Sequence, residues 1–157
     1  MDRTATHEDV KLLLHLYELR REPRMREARD WFIRHFRAAT PEELLALYPP
    51  GSDTNASFRM VTSYWEMAAS FVVHGVLHRE LFFENCQEML LVWEKLRDLV
   101  PKLREFNKNP MVFKNLEQAA IPFIAWWNAR APEFYAGFAA RVRQGIPAPP
   151  PSKETGS

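Results

Sequence analysis

His74 and His78 stand four residues apart, a spacing at which two imidazoles on one helix could share a metal. Gly75 lies between them and is a helix terminator, and neither a cysteine nor a carboxylate stands nearby at ligand spacing. The pair therefore reads as one helix-end histidine followed by one in a connection or at the next N-cap. A second grouping is the polar stripe Arg59, Ser63, Glu66, Ser70 and His74, which recurs at helical spacing along an otherwise apolar segment. Such a stripe could line a cleft for a small ligand, with Glu66 as a carboxylate of raised pKa. It could equally be the solvent edge of a central helix, with Glu66 tied to Arg59 or to another helix's N-terminus. Cys86 falls on an apolar arc, whereas a nucleophilic thiol needs a cationic or helix-N-terminal setting, so a buried inert thiol is expected. His15 and Glu18 run in the reverse order of the Glu-x-x-His of di-iron bundles. The glycines never cluster into a phosphate loop. No catalytic residue, metal ligand or cofactor motif is assigned.

Charge is uneven. Residues 20–37 hold seven arginines against three acids, a local +4 in a chain whose formal net charge is +1. Arg26, Arg34 and Arg37 project opposite the Met25/Phe32/Phe36 stripe and form a candidate basic patch for nucleic acid or an acidic partner. Neither a recognition-helix pairing nor interleaved aromatics accompany it, which disfavours nucleic acid. A solvated helix face, with arginine stems covering apolar surface, is the plainer account.

Positioning these residues requires helices. Thr6 with Asp9 forms a capping box that opens a helix to about Glu22, with Val10, Leu13, Leu14, Leu16, Tyr17 and Leu19 as a wide apolar face. Pro23 suits the first turn of a second helix whose buried stripe is Met25, Ala28, Phe32 and Phe36. Thr40-Pro-Glu-Glu43 opens a short third, and residues 49–55 form the longest loop. A mostly apolar helix is expected over 57–74, closed by Gly75, and a two-faced one over 79–100 with Glu94 and Lys95 on its polar half. Phe83, Leu91 and Ile121 fall off their helices' apolar arcs, as a docking patch or as part of a wider core. Two more helices follow, one carrying Pro122 and the last opened by Pro132. No strand-like alternation is present. The expected fold is an all-α antiparallel helical bundle of about five main helices plus short ones. One domain spans 6–145, followed by a Pro-rich disordered tail over 146–157 with a P-x-x-P match at Pro147–Pro150.

Length and composition agree. At 157 residues, 46% hydrophobic and 26% charged, the chain suits one globular domain and not a disordered polyelectrolyte. No run is long and apolar enough for a membrane span, the first nine residues lack the apolar core of a secretory signal, and the single cysteine has no partner. A cytoplasmic location is the expectation.

The centre of the chain carries a recurring pattern: Tyr64-Trp-Glu66, Gly75-Val-Leu77, Glu80-Leu81, Trp93-Glu94, Phe113-x-x-Leu-Glu117 and Trp126-Trp127. Over roughly residues 57–127 it resembles a bacterial helical domain-of-unknown-function family, number 4760. The resemblance implies no activity, cofactor or catalytic residue. Relatives usually hold an acidic or small polar residue where His78 stands, which implies a weak N-cap there. The residues together point to a non-enzymatic protein-interaction or regulatory module, with a protein partner or a homo-oligomer. The alternatives are an arginine-patch binder and a small-ligand receptor or enzyme built on the Glu66/Ser70/His74 stripe.

Overall fold

The computed structural model describes residues 3–144. Among these, nine helices and no strand form an all-α fold: α1 (His7–Arg21), α2 (Pro23–His35), α3 (Pro41–Leu47), α4 (Asp53–Val73), α5 (Arg79–Asn85), α6 (Glu88–Leu96), α7 (Leu99–Phe106), α8 (Lys114–Arg130) and α9 (Pro132–Arg143). The expected Pro-rich tail and its P-x-x-P match lie outside the described residues.

The helix boundaries follow from local chemistry. The Thr6 hydroxyl accepts from the Asp9 amide while the Asp9 carboxylate accepts from the Thr6 amide, so α1 opens with a full capping box. Thr40 accepts from the Glu43 amide to open α3, and Pro23, Pro41 and Pro132 occupy first-turn positions where no amide is needed. Gly75 takes φ +72° past the end of α4. There its amide donates to Val72 and the Val76 amide to Phe71, a complete Schellman motif.

Two helix placements need correction. The helix placed at 57–74 begins at Asp53, because the Ser52 hydroxyl accepts from the Asn55 amide and Asn55 Nδ2 donates to the Tyr48 carbonyl. The loop expected over 49–55 is thereby shortened. The helix placed at 79–100 is three. It breaks at Cys86, where φ −127° and ψ 42° leave the helical region, and again where Pro101 has no amide to give the Arg97 carbonyl. His78 is the N-cap of α5, its Nδ1 accepting from the Leu81 amide at 3.2 Å, so the imidazole fills the role expected of a smaller acceptor.

Packing centres on α4, which lies against both α2 and α8, while α6 packs on α8 and α9. Trp65, Phe32, Phe36, Phe82 and Phe123 are fully buried. The break at Cys86 turns Phe83 inward, stacked on Phe123 at 4.3 Å between ring centroids. Leu91 is half-buried against the core, whereas Ile121 is exposed, so the three off-arc residues divide between core and surface. Glu94 and Lys95, expected on a polar face, are both buried. Glu94 accepts from the Tyr135 hydroxyl at 2.7 Å, and Lys95 Nζ donates to the Phe32, Ile33 and Phe36 carbonyls at the C-terminal end of α2.

Candidate interaction surface

α1 buries charge and leaves part of its apolar surface exposed. Its buried residues are Asp9, Leu16 and Arg20, two of them charged. Its apolar residues Val10, Leu14 and Tyr17 are 42%, 55% and 48% exposed. At about 100° per residue these three fall within about 60° of one another, so they form one exposed strip along a flank of the helix, about 100° around from its buried residues. Leu19 is exposed on another side, and Leu12 and Leu13 are half-buried. The wide apolar face expected to enter the core is thus largely turned away from it.

Polar anchors hold that orientation. The Asp9 carboxylate accepts from Arg3, from the Thr6 amide and hydroxyl, and from the His78 amide at 2.8 Å. The Arg3 guanidinium, which also donates to the Val76 carbonyl, keeps the Asp9 carboxyl well below the usual carboxylate range. Midway along the helix the Tyr64 hydroxyl donates to the Leu16 carbonyl at 2.7 Å. At the far end the Arg20 guanidinium lies over the Trp65 ring at 5.3 Å and pairs with Glu88 at 3.8 Å. Glu88 is also gripped by both sides of the Arg29 fork, and Arg29 donates to the Arg20 carbonyl. Rolling α1 to bury Val10, Leu14 and Tyr17 would break all of these contacts.

The residues singled out from the sequence are dispersed. Glu66 is half-buried and engaged with α8, accepting from the Asn115 amide at 3.0 Å, the Asn115 side chain at 3.0 Å and the Leu116 amide at 2.8 Å. That is the helix-N-terminus tie weighed against a cleft. Ser63 and Ser70 turn their hydroxyls onto carbonyls of their own helix, Arg59 is exposed, and His74 is the exposed C-cap of α4. Among the arginines, Arg34 pairs with Asp30, Arg37 donates to the Phe36 and Arg34 carbonyls, and Arg24 donates to Ser57. Arg26 is exposed beside Pro23, Glu27 and Ile33 in an open surface depression. Burial pushes the Cys86 thiol up to about 11. No group of three or more potential metal ligands occurs among the described residues, and no helix there is long and apolar enough to cross a membrane.

Sequence reasoning overlooked the anchors of α1. A signal was present: Asp9 and Arg20 share one face with Leu12, Leu13 and Leu16, while Val10, Leu14 and Tyr17 lie about a quarter-turn or more away from it.

The central motif residues are bonded across helices. Tyr64 holds α1, Trp65 is fully buried, Glu66 caps α8, Gly75 closes α4, and Glu117 pairs with Arg104 of α7. No curated protein and no solved structure matches the chain. A family model described as a domain of unknown function (DUF4760) matches residues 5–139, from the cap of α1 into α9. The chain therefore belongs to the DUF4760 family.

Proposed function

We propose that this domain is a non-enzymatic protein-interaction module whose contact surface is the exposed apolar strip of α1. The observation that carries the reading is the exposure of that strip. Val10, Leu14 and Tyr17 face outward while Asp9 and Arg20 are buried and bonded. Exposed apolar area costs roughly 25 cal/mol per Å² relative to burial, so a lone domain gains nothing from presenting it. A contiguous apolar strip with polar neighbours is the kind of surface that a partner covers.

The reading is tested with a photo-cross-linking residue at position 14, compared with the same residue at Glu84, an exposed position on α5. In cells that make the protein natively, adducts to a protein, whether another chain or a second copy, are expected at 14 and not at 84. Equal yields at the two positions, or none at 14, would reject it.

A further inference from the structure

An open pocket of about 300 Å³ lies where α6, α9 and the C-terminal end of α2 meet, away from the α1 strip. Each of the three contributes one apolar and one cationic side chain: Ile33 with Arg37, Leu91 with Lys95, and Phe138 with Arg141. The other lining residues are uncharged, so no acid faces the pocket. Acids close by in the chain are engaged elsewhere. Asp30 pairs with Arg34, Asp98 with Arg143, and Glu94 with Arg97, Arg143 and the Tyr135 hydroxyl.

Positive charge is in surplus there. Lys95 donates to the Phe32, Ile33 and Phe36 carbonyls, and Arg37 to the Phe36 and Arg34 carbonyls. Those carbonyls end α2, and a helix C-terminus presents roughly half a negative charge against the two full positive ones. Arg141 is exposed and makes no hydrogen bond or ion pair among the described residues. Burial, and then the repulsion of Arg37, lower Lys95 to about 8, as expected where no carboxylate offsets the pair. We infer that this pocket binds an unbranched alkyl carboxylate, its head on Arg37 and Arg141 and its chain against Ile33, Leu91 and Phe138. Arg37 keeps its remaining N–H donors and Arg141 all of its own, and guanidinium forks match a carboxylate. A bare inorganic anion would leave the apolar lining wet, and a neutral chain would leave the cations without a counter-charge. The volume stands at the lower end for ligand sites, which suits one short chain.

The test is a titration of the isotope-labelled full chain with sodium octanoate, followed by amide NMR. Saturable shifts with a Kd of about 1 mM or tighter are expected around Leu91 and Phe138, and none at Val10, Leu14 or Tyr17. Acetate, which is a head without a chain, and octanol, a chain without a charge, should each bind at least about tenfold more weakly. Arg141→Gln should raise the octanoate Kd about tenfold, and Ile33→Ser should raise it several-fold. Arg26→Gln, an exposed arginine outside the pocket, should leave it unchanged. All three substituted positions are exposed, and an unchanged thermal melt verifies that each variant folds. No saturable shift up to about 10 mM overturns the inference. So do shifts centred elsewhere, octanol binding as tightly as octanoate, or an octanoate Kd indifferent to Arg141→Gln. Vesicles of phosphatidylglycerol provide a last arm: binding to them that Arg141→Gln weakens, without binding of octanoate, would assign the cations to a membrane surface and overturn the pocket.

Discussion

Replacing Glu66 separates a cleft from a cap. The Glu66 carboxylate receives the Asn115 and Leu116 amides, the second and third of α8, together with the Asn115 side chain. Phe113, at the N-cap position itself, offers no side-chain acceptor, so Glu66 serves as the cap from a neighbouring helix. Losing a cap of this kind costs about 1 kcal/mol. Losing the negative charge at the helix's positive end adds about 0.3–1 kcal/mol. The orphaned Asn115 side chain contributes roughly another 0.5 kcal/mol. Glu66→Ala should therefore destabilise the fold by about 2 kcal/mol, a fall of roughly 4–8 °C in Tm for a chain of this size. Glu66→Gln keeps one acceptor oxygen and loses the charge, so about 1 kcal/mol is expected. Urea unfolding followed by far-ultraviolet circular dichroism measures both variants. Hydrogen exchange should show the Asn115 and Leu116 amides losing protection ahead of the α8 interior. Ser70→Ala, which removes only a bond to its own helix at Met67, should stay within about 0.5 kcal/mol of wild type. If Glu66→Ala also stays within that margin, the carboxylate is not holding α8, and the cleft account of the stripe regains its place.

Other expectations concern the buried charges and the thiol. Burial, helped by the nearby Arg37, lowers Lys95 from 10.5 to about 8. The unfolded chain therefore holds that proton longer, and stability should rise with pH between about 8 and 10.5. Lys95→Met should abolish that rise. It should also cost about 2 kcal/mol at neutral pH by leaving the α2 carbonyls without their donor; an unchanged alkaline profile in the variant would count against the assignment. Asp9 behaves oppositely: its carboxyl lies below its unfolded value of 3.8, so the stability it confers is present above that pH and lost as the pH falls further. Asp9→Asn should show a shallower acid-side decline in pH-dependent melts, and an identical decline would refute the clamp. Cys86 should resist a thiol reagent at neutral pH in the native protein and react once it is unfolded; rapid native labelling would show that the thiol is neither buried nor protonated.

Where a signal was local, the sequence displayed it. Thr6 with Asp9, Thr40 with Glu43, Gly75, and the prolines at 23, 41 and 132 each act within one turn of their own position, and the helix ends they set are the observed ones. The stripe Met25, Ala28, Phe32 and Phe36 enters the core as its spacing requires. The break at Cys86 was hidden because the apolar arc from 79 to 100 is satisfied on average by one straight helix. The gain from breaking it lies elsewhere, in Phe83 reaching Phe123.

The roll of α1 was hidden for a deeper reason. Periodicity finds an apolar arc and assigns it to the interior, assuming that burial alone decides how a helix is rolled. In α1 the roll is decided by Asp9 meeting the His78 amide 69 residues away and by Arg20 meeting Trp65 and Glu88. No window along the chain contains both members of those pairs. The same blindness placed Glu94 and Lys95 on a polar face, although Tyr135 and the C-terminal end of α2 receive them inside. Buried charges with distant partners can therefore roll a helix away from the orientation its apolar arc predicts. The apolar residues they displace are then left at the surface, which is why the exposed strip Val10, Leu14 and Tyr17 coincides with a sequence pattern that resembled core.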